Sequence, residues 1–438
     1  MRNFKNFTLH FLLKIGIKFK MIRFFLSVLF LSQAFSIYAQ QSKDLKISNI
    51  DSAYQLYLEK KMAEAAISRK HLETVLHKAN PDTVKKINIQ NLFFEEFPDF
   101  SSFDSLQIIH AGDNMIRKIP ATYFACDSLE RIYFSNNQIK KVRFKRLYKL
   151  KTVSLNTNNL KRIPRSIRKL ENLESLNLSN NSIRRIPKFV AKMENLKELN
   201  LNSNEVVLNK KAANRLGHIH TLLLAGNNLK KLPENIGNLQ GVRKLNLSKN
   251  ELSSVPATFK NLDSLTSIIF YQNAFEEIPQ EILSLKNLVE LDFYYNKISK
   301  IPEGVGGLVR LKQLFLSFNE ISKLPDTLRN LRQLKYLYIH HNQLKSVPYW
   351  ITSLPQLERL DVSYNQIFQI PNLSVMDNLT EIDLQENQLE YFPWDLLDKP
   401  NLKLLIVRNN PFILEKEEEK MLKEHVNNLN SNTPVIVY

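Results

Sequence analysis

The feature that most constrains this chain is an asparagine that returns at a fixed interval. It falls at Asn114, Asn137, Asn158, Asn181, Asn204, Asn227, Asn250, Asn273, Asn296, Asn319, Asn342, Asn365, Asn387 and Asn410, and eleven of the thirteen spacings are 23 residues. Apolar residues keep step with it. One copy runs Leu173, Leu176, Leu178, Asn181, Ile183, Ile186, Pro187; another runs Leu288, Leu291, Phe293, Asn296, Ile298, Ile301, Pro302. A degenerate first copy runs Val84, Ile87, Ile89, Phe94, Phe97, Pro98, with Leu92 in the asparagine slot. That makes fifteen copies between residues 84 and 411. By length alone, 438 residues suggest two or three globules. A period this regular replaces that expectation with a stacked array.

The physics of one copy dictates the stacking. Leu-x-Leu alternation puts apolar side chains on one face of a short strand and the intervening residues on the other. A lone strand cannot bury that face, so neighbours must cover it. At ~4.8 Å between strands, fifteen copies span on the order of 70 Å. The asparagine carries both a donor and an acceptor into the core side of a turn, where it can satisfy backbone groups of adjacent copies. The proline that follows has no N–H and ends strand pairing. With only nine glycines in the chain, asparagine and proline make the turns.

On these motifs the chain resembles the leucine-rich repeat family, in the 23-residue form with an Ile-Pro or Leu-Pro step, over about residues 84–411. The resemblance implies an α/β solenoid, a horseshoe with a parallel inner sheet and turns or short helices outside. Two copies depart from the pattern. One continues Val142-Arg143-Phe144 and the other Val206-Val207-Leu208-Asn209, neither with proline. Irregularity is expected there on the outer side only.

Both ends of an array need covering. Residues 40–83 are expected to form a helical N-terminal cap. Its helix over 50–78 places Tyr54, Leu58, Met62, Ala65, Leu72 and Leu76 near one face, and Asn80-Pro81-Asp82 breaks it. Residues 412–438 are expected to close the other end, with a helix from Glu415 to Asn428 turning Met421, Leu422 and Val426 inward, then a strand at 434–438. Residues 1–39 read as a secretory signal: six basic residues, no acid, an apolar run from Phe24 to Tyr38, and cleavage after Ala39. The run is too short to span a bilayer, and no other stretch is long and apolar enough. Export to a periplasm, cell surface or medium follows; a cytoplasmic location is the alternative. Without cysteine-rich caps, the pattern looks more bacterial than animal. The leader would remove six of the 61 basic residues and none of the 43 acidic ones, lowering the formal charge of +18.

No catalytic grouping stands out. There is no His-Glu-x-x-His, phosphate loop or Gly-x-Ser-x-Gly. The lone Cys126 excludes an internal disulfide and any cysteine-cluster metal site. Gly304-Val305-Gly306-Gly307 falls on an outer turn, and His218 and His220 straddle a junction without a further ligand. Neither cofactor nor metal is expected, and the chain is read as a non-enzyme.

Two surface stripes remain. Counting the first leucine of a copy as one, positions 5, 7 and 8 face the inner surface. Between Leu150 and the copy at Val242 these hold no aromatic residue. In the next five copies they hold Tyr271, Asp292, Tyr294, Tyr295, Phe315, Phe318, Tyr338, His340, His341, Asp361 and Tyr364, and Tyr336 joins at position 3. Aromatic clusters give interfaces large area at low entropic cost. This patch, with Asp292 and Asp361 as polar anchors, is the expected site for a protein, peptide or glycan; tyrosines that merely stabilise a solvated sheet are the competing reading. The second stripe is basic. Positions 12 and 13 of the copies from Leu106 to Ile219 carry Arg117, Lys118, Lys140, Lys141, Lys161, Arg162, Arg184, Arg185, Lys230 and Lys231. This ladder could hold lipopolysaccharide or another acidic glycan, or simply keep the protein soluble. Nucleic acid is disfavoured, because cations and aromatics lie on different faces and halves. The expected function is recognition by an exported scaffold. Envelope or polyanion binding, and an intracellular signalling scaffold, are the rivals.

Overall fold

The computed structural model describes residues 50–124, 126–397, 399–427 and 434–438. The expected leader lies outside the described residues. The chain divides into residues 1–70 and residues 71–438. A helix runs Ile50–Lys78, so its last two turns belong to the second unit. Met62, expected on the inward face, is exposed. Leu72 and Leu76 pack against the core of the second unit. Asn80 then accepts from the Asp82 N–H at 3.0 Å and starts a 3-10 turn at Pro81–Thr83.

The second unit is the array. Fifteen three-residue strands, from Lys86–Asn88 to Leu404–Ile406, pair in parallel, and Val435–Val437 adds a sixteenth at the end. Register follows the repeat: Leu291 pairs with Leu314, which pairs with Leu337. The middle residue of each repeat strand is buried, and in most copies its two neighbours are left half-exposed on the inner face. One continuous apolar core runs beneath, from Ile87 to Leu422.

The outer side is made by the proline step. Pro187, Pro256, Pro302 and Pro325 each lead into a five-residue 3-10 helix such as Lys188–Lys192 or Glu303–Gly307. Gly306 of that last segment serves packing, since a Cβ there would run into the Thr327 carbonyl oxygen. The two copies without proline are irregular only outside. Lys141–Val142 pairs with Lys118–Ile119 in a separate two-stranded sheet. Asn209 caps a one-turn helix, Lys210–Ala213.

The asparagines show how copies are joined. Asn181 donates from Nδ2 to the carbonyls of Leu155, Leu178 and Ser179, at 3.0, 3.0 and 3.1 Å. Its Oδ1 accepts from the Leu160 N–H at 2.9 Å. Leu155 and Leu160 belong to the preceding copy, so each asparagine completes the turn before its own. That is why the first copy tolerates Leu92: Asn114 already accepts from the Leu92 and Phe94 N–H groups.

At the end, a helix spans Lys416–Asn427. Leu422 is buried as expected, but Met421 is exposed, since only one side of this short helix meets the array. Cys126 is buried and donates to the Phe100 carbonyl; burial, with Asp104 nearby, pushes its thiol up to about 11, so it is an inert core residue.

Candidate functional site

The inner face is set by positions 3, 5, 7 and 8 of each copy. Position 8 has a backbone property that the sequence does not display: it lies in the left-handed region in every copy. Early copies mostly fill it with residues that tolerate this, such as Asn91, Asp113, Asn136, Asn180 and Gly226. Four successive later copies hold Tyr295, Phe318, His341 and Tyr364 there, at φ of 56°, 53°, 53° and 52°. A bulky side chain in that region costs about 1–2 kcal/mol relative to glycine or asparagine.

Those four rings form one column. Tyr295 stacks on Phe318 at 4.0 Å, Phe318 on His341 at 3.9 Å and His341 on Tyr364 at 4.1 Å, all within 18° of parallel. Each contact is worth about 0.5–1.5 kcal/mol, which offsets much of the strain. Beside it, Phe315 stacks on Tyr338 at 5.1 Å. Tyr271 leans on Tyr294 and Tyr295. The expected residues Tyr271, Tyr294, Tyr295, Phe315, Phe318, Tyr338, His340, His341 and Tyr364 are thus brought together on one face. Tyr336 is not: its ring meets none of the others, and its hydroxyl donates to Glu358 at 3.1 Å.

The carboxylates have a local task. Asp292 Oδ1 accepts from the Tyr294 N–H at 2.8 Å, and Asp361 Oδ1 accepts from the Ser363 N–H and hydroxyl. Asn177, Asn200 and Asn246 do the same for their own copies. The turn needs only a carbonyl-type oxygen, so the charge on the aspartates is extra. Burial pushes Asp292 up to about 7, against the Tyr294 N–H that lowers it. Asp383, which sequence reasoning passed over, occupies the same position and is raised by burial to about 6. His340 and His341 have their Nδ1 atoms 2.8 Å apart, and burial lowers both pKa values, against the nearby Asp361. Burial lifts the Tyr294 phenol to about 12. Arg359, also passed over, lies 5.5 Å above the Tyr338 ring and pairs with Glu381 at 3.0 Å.

The basic ladder lies on the flank, and all ten of its side chains are exposed. Lys118 and Lys141 are register partners in the small outer sheet. Arg117, Arg184 and Lys230 sit 3.6–3.8 Å from Glu95, Glu205 and Glu251, so three rungs are partly neutralised. Among the described residues, no group of three or more His, Cys, Asp or Glu could hold a metal ion. Nor is any described helix long and apolar enough to cross a membrane.

The architecture defines a solenoid of parallel strands joined by asparagine turns. Family models described as "Leucine rich repeat" match residues 142–183, 266–321 and 322–367, and one described as "Leucine Rich repeats (2 copies)" matches residues 171–210. Residues 142–210 and 266–367 of the chain are thus leucine-rich repeats. The chain is similar to a leucine-rich repeat protein of Leptospira interrogans at 24% identity and TM-score 0.71, over 82% of this chain and 97% of that one. An internalin, InlF, from Listeria monocytogenes matches at 22% identity and TM-score 0.52, over 83% and 93%. A plant peptide hormone receptor, RGFR1, solved in complex with RGF2, matches at 23% identity and TM-score 0.51, over 75% and 63%. At these identities the likeness is one of fold. No curated protein matches the sequence. Leucine-rich repeats commonly serve recognition and are typically non-enzymatic.

Proposed function

We propose that this protein is an exported recognition scaffold that binds a protein, peptide or glycan on the aromatic inner face of residues 265–365. The observation that carries the reading is the position-8 column. Four bulky rings occupy a strained backbone position that asparagine fills in other copies at no cost. Folding does not require them, and large half-exposed rings are what interfaces use. Export rests on the pattern of residues 1–39.

The test uses the full mature chain beside a Y294A/F315A/Y338A variant as baits for proteins and glycans of the producing cell. A partner captured by the first and lost by the second, with unchanged circular dichroism, supports the reading. Identical capture by both sinks it. N-terminal sequencing of the product should begin at Gln40; a retained Met1 or Met21 returns the scaffold to the cytoplasm. The ten exposed cations favour a second reading, a polyanion contact on the flank, which should weaken steeply with salt.

A further inference from the structure

Three observations meet at one point of the aromatic face. The first is Ser317. Of the other serines at its position, Ser179, Ser248 and Ser363 donate to Asn177, Asn246 and Asp361 two residues earlier, and Ser135, which follows Tyr133, donates instead to Asn156 of the next copy. In this copy the earlier residue is Phe315, and Ser317 Oγ is fully buried with no hydrogen-bond partner. Buried hydroxyls are almost always partnered. The second is what covers it. Tyr294 and His340 come from strands on either side of that of Ser317, about 10 Å apart by strand spacing. Their ring centroids are only 5.4 Å apart. The two rings thus close up from either side of the strand that carries Ser317, and Phe318 packs on both, at 5.3 and 5.2 Å.

The third is charge. Over the five copies from 288 to 387, positions 3, 5, 7 and 8 carry six acids (Glu290, Asp292, Asp361, Glu381, Asp383 and Glu386) and one base, Arg359. The whole chain has a net charge of +18. The acids at position 5 exceed what their turn requires, since asparagine does that task in earlier copies.

We propose that Tyr294, Ser317 and His340 form a closed subsite for one lysine or arginine side chain of an extended basic peptide, with Asp292 and Asp361 as its counter-charges. The proposal rests on the aromatic-face reading above and names its ligand class. Entry of the cation parts the two rings and sets it against their faces. Its N–H groups supply the donor that Ser317 Oγ lacks, and the carboxylates balance its charge. The rest of the peptide lies along a face whose other charges are mostly acidic, while the basic remainder of the protein repels it. The groups facing the subsite are Tyr294, His340 and His341, with Asp292 and Asp361 as anions and Arg359 as the one nearby base. Acid protonates the histidines and neutralises Asp292. Both changes weaken binding of a cation, so affinity rises with pH.

The test measures fluorescence anisotropy of the full mature chain with labelled Gly-Arg-Gly-Arg-Gly-Arg-Gly and its citrulline counterpart, which keeps the shape and loses the charge. The arginine peptide should bind about tenfold tighter. It should weaken at pH 5.5 relative to pH 8, and lose its advantage in D292N/D361N, a variant that keeps the turn acceptors. Ser317→Ala should weaken it a few-fold. Equal binding of the two peptides, no binding of either, or indifference to D292N/D361N overturns the proposal. A displayed random-peptide library, selected on the same chain, separates this outcome from failure of the wider reading. Neutral or acidic binders that Y294A/F315A/Y338A abolishes overturn the cationic subsite and leave the aromatic face standing. A library that yields no binder sensitive to that variant overturns both.

Discussion

The asparagine turn can be tested at Asn181, where every bond is accounted for. Replacing it with alanine removes four hydrogen bonds, but their loss is unequal. The Leu155 carbonyl keeps a donor from Asn158 and the Leu178 carbonyl keeps one from Asn204. The Ser179 carbonyl keeps the Thr157 N–H. Only the Leu160 N–H loses its partner in a buried setting. One orphaned donor costs about 1–3 kcal/mol, and the three weakened acceptors add about half as much again at the usual net value per bond, giving about 3 kcal/mol. That is roughly a hundredfold in a local opening equilibrium. Hydrogen–deuterium exchange over residues 155–165 should report it directly, because opening in a repeat array need not be global. Asn181→Asp sharpens the test. It keeps the acceptor for Leu160 but turns a carboxylate oxygen toward three carbonyls, so it should cost more than alanine. If aspartate is the milder substitution, the side chain acts by filling space and the bonding account is wrong.

Other outcomes follow from single residues. Asp292 has a folded pKa of about 7, raised from 3.8, so the fold favours its protonated form. The group therefore costs stability progressively as pH rises from about 4 to 7. Full linkage would be about 4 kcal/mol; for a half-buried carboxylate, about 2 kcal/mol is expected. D292N should thus raise the urea midpoint at pH 8 and leave it unchanged at pH 4; a gain that does not vary with pH would count against the assignment. Gly306→Val should lower the melting temperature, at a cost of about 2–3 kcal/mol, because its Cβ meets the Thr327 carbonyl. Cys126 should resist a maleimide in the folded protein and react once unfolded; rapid native labelling would contradict its burial. Replacing Lys161, Arg162, Arg184 and Arg185 with glutamate should abolish any salt-sensitive retention on heparin and leave peptide capture by the inner face intact.

Much of this fold is legible in the sequence because a period supplies its own ruler. The asparagine spacing sets the register of fourteen of the fifteen repeat strands, and the missing prolines mark where the outer side changes. The ends lack that ruler. Helical periodicity alone turns Met62 and Met421 inward, yet both are exposed, because an amphipathic face does not say which neighbour it meets. The site divides in the same way. Its aromatic membership follows from position within the repeat, and only Tyr336 strays, drawn aside by Glu358 from the next copy. The left-handed backbone beneath Tyr295, Phe318, His341 and Tyr364 is invisible in the letters alone, though asparagine, aspartate and glycine at that slot in other copies are its trace. Ser317 could not have been singled out. Its condition depends on Phe315 lacking an acceptor and on rings from two other strands closing up from either side of its own.

Because each asparagine finishes the copy before it, the array has a direction. On a ribosome, a copy emerges with the amide at its eleventh position still unbonded, and stays so until the next copy delivers its asparagine. Assembly is therefore always one repeat behind synthesis. A break at the amino-terminal side leaves every remaining turn supplied, whereas a break at the carboxyl-terminal side strands the last one. Shortened forms of this protein should accordingly survive loss from the front far better than loss from the back.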